Sequence, residues 1–156
     1  MRDTVIKELH AHAKKNKDII LITGDLGFGV LDNFIKELPE QFINAGVSEQ
    51  NMTAIAAGLA LEGKKVFTYS IGNFNTLRCL EHIRNDVCYH NLDVTVISVG
   101  GGFSYGQLGA SHFATEDIAI MGAIPNMKVV APSSKKSASI LMNQIISSKG
   151  PYYLRI

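Results

Sequence analysis

The chain has 156 residues, 46% of them hydrophobic and 19% charged, enough for one domain with a sizeable core and too short for two ordinary ones. That balance excludes extensive disorder, and 15 Lys plus Arg against 14 Asp plus Glu leave a formal charge of +1 with no basic cluster, which argues against nucleic acid as a partner. No apolar run reaches the roughly 18 residues of a bilayer span, and Met1-Arg2-Asp3-Thr4 lacks the apolar stretch of a secretory signal, so the expected location is cytoplasmic with no membrane contact.

In chain order, the pattern predicts a helix over residues 2–15 and a strand over Ile19–Thr23 that runs into Gly24-Asp25-Leu26-Gly27-Phe28-Gly29. This loop has neither the GxGxxG order nor the Lys-Ser/Thr ending of a phosphate-cradling loop, and Gly100-Gly101-Gly102 misses the spacing too. A receiver-type domain would want clustered acids at the strand ends, where only Asp25 qualifies. A helix over 30–37 leads to a strand over Phe42–Ala45 and the turn Gly46-Val47-Ser48. Glu49 then opens a helix over 49–61, with Ser48 as its expected cap. A carboxylate at that place favours the helix macrodipole, whatever else it does. The helix it opens, from Met52 to Ala60, is almost without charge and rich in small residues. Close packing on both its sides would turn Glu49 into a crevice instead of open water.

A strand over Val66–Tyr69 and a loop over Ser70–Asn75 precede a helix over 76–90 that carries Cys79 and Cys88. A nine-residue spacing in an α-helix is half a turn off alignment, so the two cysteines are expected on opposite sides, unable to pair. The strand Val94–Val99 runs into Gly100–Thr115, a segment too long for a simple connection and so expected to be functional or mobile. His112 lies in it; His10, His12, His82 and His90 fall on predicted helices and read as solvated or locally paired. A helix over 116–122, a strand over Lys128–Ala131, a helix over 134–148 that starts at a candidate cap in Pro132-Ser133-Ser134, and a strand over Tyr152–Arg155 complete the pattern. The fold class is α/β: a doubly wound, mainly parallel sheet of about six strands with helices on both faces, in a single domain over 1–156. Chemistry is then sought in the loops beyond the strands' carboxyl ends. Two isolated titratable residues, Glu49 and His112, do not define a reaction, and the residues alone read as a ligand-binding α/β domain.

Taken together, Gly24-Asp25-Leu26, Gly46-Val47-Ser48-Glu49-Gln50-Asn51-Met52, Ala56-Ala57-Gly58-Leu59-Ala60, Gly109-Ala110-Ser111-His112 and Val130-Ala131-Pro132-Ser133 resemble the pyrimidine-binding domain of transketolases. The resemblance extends to 1-deoxyxylulose-5-phosphate synthase and to the β subunits of 2-oxo-acid dehydrogenases, and it spans essentially the whole chain. It implies thiamine diphosphate as cofactor, with the protein supplying orientation and electrostatics. Glu49 matches the carboxyl that hydrogen-bonds ring nitrogen N1′ and drives the 4′-amino group to its imino form, the base for the thiazolium carbon. Phe74 matches the ring packed on the aminopyrimidine. His112 matches a histidine that contacts the sugar's reacting oxygens and shuttles protons, and Arg2 and Arg155 match positions that grip the sugar phosphate. Gly29, Gly100 and Leu108 depart from a phosphate-contacting serine, a substrate histidine and a hydroxyl-reading aspartate, so substrate reading is expected to be altered.

The resemblance also implies that the diphosphate, with a divalent metal such as Mg, is held in a domain outside these residues, on a partner subunit, and that no metal site belongs to this chain. It implies, too, that the family's further C-terminal domain is expected to lie outside these residues. The expected assembly is a homodimer or a heterotetramer. The expected activity is that of a split or truncated transketolase-like transferase, inactive alone, that moves a two-carbon unit between sugar-type substrates such as sugar phosphates. Two alternatives stand beside it: a β subunit of a 2-oxo-acid dehydrogenase, and a non-catalytic assembly partner.

Overall fold

The computed structural model describes residues 1–156. Six strands, β1 (Ile19–Thr23), β2 (Phe42–Asn44), β3 (Lys65–Ile71), β4 (Val94–Val99), β5 (Lys128–Val130) and β6 (Tyr152–Arg155), form one sheet in the order β2-β1-β3-β4-β6-β5. Every neighbouring pair is parallel. The central strands β1, β3 and β4 are buried along nearly their whole length, as apolar β-branched runs must be when helices cover both faces.

Side chains alternate between two cores, as the pleat requires. Ile20, Ile22, Val66, Val94, Val96 and Tyr153 point to one, with Met52, Ala56, Ala57 and Ala60 of α3 (Glu49–Leu61). Ile19, Leu21, Phe67, Tyr69, Ile97 and Leu154 point to the other, with Val5, Ile6, Leu9 and Ala13 of α1 (Arg2–Ala13). Phe34 of α2 (Asp32–Glu37) joins that second core. The small residues of α3 let its backbone lie close to the sheet, which brings its first turn to the sheet's carboxyl edge.

The helix expected over 76–90 is instead a composite: a 3-10 turn over Leu77–Cys79, the short α4 (Leu80–His82), and a π-helical turn over Ile83–Cys88. His90 falls in the turn beyond it. The wider π turn changes the angular spacing, so Cys79 and Cys88 both point into the core beneath α3 and not to opposite sides. Both are free thiols, and burial pushes each up to about 11. After α5 (Asp117–Ala123), the last helix α6 (Lys135–Ser147) starts as the sequence predicts. Ser134 Oγ accepts from the Ser137 amide at 3.1 Å, and Ser137 Oγ accepts from the Ser134 amide at 3.0 Å, a reciprocal capping box. No helix is long and apolar enough to cross a membrane.

Candidate functional site

The site begins with a turn. Gly46 follows β2 with φ at 75°, a left-handed conformation open to glycine because it has no Cβ, and this bend delivers Glu49 to the first turn of α3. Ser48 does not cap α3 as expected; its hydroxyl donates to the Ala45 carbonyl at 2.7 Å and braces the turn instead. A Cβ built on Gly24, at the end of β1, would lie 3.4 Å from Glu49 Cγ. Glu49 therefore stands over the end of β1, where the winding reverses between β2 on one side and β3 on the other. In open α/β sheets that reversal leaves a crevice for ligands.

The Glu49 side chain is 1% exposed, and a buried carboxylate needs a hydrogen-bonded partner. Arg78 supplies it: Nη1 donates to Oε2 at 2.7 Å. The Arg78 guanidinium carbon also lies 4.4 Å from the centre of the Phe74 ring, a cation–π contact. Phe74 in turn meets the His112 ring edge-on, with centres 4.9 Å apart. The structure thus joins Glu49, Phe74 and His112 in one chain of contacts whose central link is Arg78.

Polar anchors hold that chain in place. Asn75 is buried and donates to the Ile97 carbonyl at 2.8 Å, and the Thr76 hydroxyl donates to the Gly72 carbonyl at 2.6 Å, which fixes the turn carrying Phe74. Asn73 Nδ2 donates to the Ser111 carbonyl at 2.9 Å, tying that turn to the long loop. Ser111 Oγ lies 2.9 Å from His112 Nδ1. The loop from Gly100 to Thr115 is closed at its base by reciprocal bonds between Gly102 and Ala114, at 2.7 and 2.9 Å.

A cavity of about 530 Å³ opens beside Glu49, lined by Val47, Asn51, Ala54, Arg78 and His82 among others. That volume falls in the range of about 300–1,000 Å³ usual for small-molecule sites. His82, expected to be solvated or locally paired, lines this cavity, and its Nδ1 is buried without a hydrogen-bond partner. His10 Nε2 lies 3.4 Å from Glu37 Oε2 but is buried without a hydrogen bond, and His12 Nε2 pairs at 2.6 Å with Asn143 Oδ1, far along the chain on α6.

The two arginines lie apart from that cavity. Arg2 lines a hollow of about 470 Å³ with Asp3, His10 and Gly29, and a smaller one of about 250 Å³ with Leu26, Tyr69 and Tyr105. Burial pushes the Tyr69 phenol up to about 12. Arg155 lies along Gly101, where a Cβ would come 2.1 Å from its Nε, so only glycine permits this approach. Its Nε is 3.1 Å from Asp117 Oδ2, and Nη2 donates to the Ala114 carbonyl at 3.1 Å. The Tyr153 hydroxyl donates to the same Asp117 oxygen at 2.5 Å, and burial with that contact raises the phenol well above its usual range. Arg155 also borders a separate cleft of about 240 Å³ with Ser104 and Pro132. No group of three or more His, Cys, Asp or Glu side chains is placed to hold a metal ion.

Arg78, His82 and Asp117 were not singled out by the sequence. Arg78 and His82 stand four residues apart within the helix expected over 76–90, a spacing that puts side chains on one helical face and was the available signal. Asp117 gave none, because its partners Tyr153 and Arg155 lie 36 and 38 residues away.

A family model described as the transketolase pyrimidine-binding domain matches residues 1–156. A protein of Methanocaldococcus jannaschii described as a transketolase C-terminal section is 45% identical over 144 residues, which cover 92% of this chain and 46% of that protein. One of the subunits of an apulose-4-phosphate transketolase from Phocaeicola vulgatus is 38% identical over 145 residues, 92% of this chain and 46% of its own length. Among solved structures, a split-gene transketolase, an inactive β4 tetramer, superposes with a TM-score of 0.88 at 34% identity, covering 99% of this chain and 50% of that one. The chain thus spans about half the length of the curated relatives it matches.

Proposed function

Because this chain belongs to the family of transketolase pyrimidine-binding domains, we propose that it is the pyrimidine-facing part of a split transketolase-like transferase. The enzyme it helps form moves a two-carbon unit between sugar-type substrates. The observation that supports this reading above others is Glu49, a carboxylate 1% exposed at the winding reversal, linked through Arg78 to the aromatic face of Phe74. A buried acid beside a flat apolar ring suits one end of an aminopyrimidine, which offers ring nitrogens at its rim and a π face for stacking.

Bound thiamine diphosphate would supply the carbon nucleophile, chemistry that no side chain of this chain provides. Glu49 would hold the hydrogen bond at the far ring nitrogen, N1′, and Phe74 would present its ring to the heterocycle. His112, held against Phe74 by the closed loop, would move protons to and from a substrate's oxygens. Arg2 and Arg155 serve the anionic end of the substrate, Arg155 being set in direction by Asp117. The diphosphate and a divalent metal such as Mg belong to a partner subunit, so the working site lies between two chains and this one does not turn over alone. A homodimer of such pairs, a heterotetramer, is the simplest closed assembly with this property.

Reconstitution tests this directly. The chain is mixed with a subunit carrying a diphosphate-binding domain, thiamine diphosphate and Mg, and ketol transfer is followed. Turnover that appears only in the mixture is the expected result, and robust turnover by the chain alone, with contaminating partner excluded, contradicts the split site.

A further inference from the structure

Glu49 presents a difficulty for any ligand meant to reach it. Its side chain is 1% exposed, and the only side chain hydrogen-bonded to its carboxylate is Arg78. Arg78 is 43% exposed, a long side chain with solvent to retreat into, whereas Gly24 and the first turn of α3 are backbone packed against the sheet. If the carboxylate is to meet a heterocycle, Arg78 is the group able to move.

The manner of its contact matters as much as its position. A guanidinium is flat, delocalised and rimmed with N–H donors. Here one rim donor meets Glu49 Oε2 at 2.7 Å while the guanidinium carbon lies 4.4 Å from the Phe74 ring centre. A protonated aminopyrimidine makes the same two interactions, an N–H to a carboxylate and a flat cationic stack on an aromatic ring.

We infer that Arg78 is a further residue of the cofactor site: it fills, from within the chain, the hydrogen-bonding and stacking place of the aminopyrimidine, and must withdraw before the heterocycle can bind. The inference rests on the pyrimidine-facing reading proposed above. It has a use in an unassembled subunit. A buried carboxylate left without a donor is costly, and Arg78 satisfies it until a ligand arrives. The cavity lined by Arg78 and His82 offers space into which the guanidinium can turn. His82 lines the same cavity, and its Nδ1, buried without a partner, accepts from the displaced guanidinium in the tautomer that leaves this nitrogen unprotonated.

The test uses the whole chain and thiamine, which carries the aminopyrimidine without any phosphate. Titration calorimetry compares the unmodified chain with Arg78→Met, Glu49→Gln and the double variant. Arg78→Met is expected to tighten thiamine binding roughly tenfold, the loss of one charge-assisted bond and one cation–π contact that compete with the ligand. The double variant is expected to lose that gain. Binding that is unchanged or weakened in Arg78→Met, but still abolished by Glu49→Gln, overturns the gate and leaves the pyrimidine-facing reading standing. Binding indifferent to Glu49 in every variant overturns both.

Should Arg78→Met fail to fold, the unmodified chain provides the answer by nuclear magnetic resonance. The Arg78 guanidinium protons, held by Glu49 and Phe74, are expected to lose their protection from exchange as thiamine saturates the site. Protons that stay protected at saturation show that Arg78 does not withdraw, and overturn the inference.

Discussion

A buried acid with two partners and one free oxygen marks where single residues matter most outside the candidate site. Asp117 is 2% exposed; its Oδ2 takes both Tyr153 and Arg155, while Oδ1 has no partner. Tyr153→Phe removes one of the two partners of Oδ2 without changing the packing of the ring, and should cost about 1.5–3 kcal/mol, the net worth of a hydrogen bond to a charged group. Urea unfolding of the variant checks it, and a loss well below that range means that Tyr153 and Asp117 are not a stabilising pair. The buried thiols give a pH signature. Cys79 and Cys88 are raised by burial to about 11 in the folded chain, above the roughly 8.5 of a free thiol. The folded state thus holds those protons longer than the unfolded chain. Their contribution is fully present below about pH 8.5 and is lost as pH rises towards about 11. Melting measured across that window should fall more steeply for the unmodified chain than for Cys88→Ala. At this scale Glu49 and His112 could be singled out because each stands in a local segment that carries the resemblance, and Phe74 by its place after the strand over Val66–Tyr69. Arg78 was not: an arginine on a helical stretch reads as a solvated cation until tertiary contact puts an acid and a ring beside it.

The helices divide into those whose ends are specified locally and those that the sheet imposes. The start of α6 is local, with two serines three residues apart serving each other's amides, and it was legible. Ser134→Ala should cost about 0.5–2 kcal/mol, with faster amide exchange confined to the first turn of α6. The same change at Ser48 should leave the α3 amides unaltered, since that hydroxyl serves the Ala45 carbonyl. The strands were legible for a simpler reason: short, mostly apolar and β-branched runs, many ending in Gly, Ser or Pro, find their burial in a parallel sheet covered on both faces. The π turn over Ile83–Cys88 was not, because its residues suit an α-helix equally and only packing beneath α3 decides the winding.

For the whole molecule, the sheet's carboxyl edge gathers Glu49, Phe74, Arg78 and His112 while leaving Arg2 and Arg155 in hollows of their own. The doubly wound parallel pattern predicted that edge; which loops would touch across it depended on folding of the loop from Gly100 to Thr115, whose closing contact between Gly102 and Ala114 has no sequence signature. An assembled enzyme should transfer ketol units and not decarboxylate keto acids with lipoamide as acceptor, and comparing the two reactions in the reconstituted pair separates a transketolase-like transferase from a dehydrogenase subunit. The most direct measurement is turnover of the reconstituted pair carrying Glu49→Gln, with assembly verified independently by sedimentation. A positioned hydrogen bond to the cofactor predicts a fall of about two to four orders of magnitude with the complex intact. Undiminished turnover in an intact complex would contradict the role of Glu49 and leave this chain a scaffold.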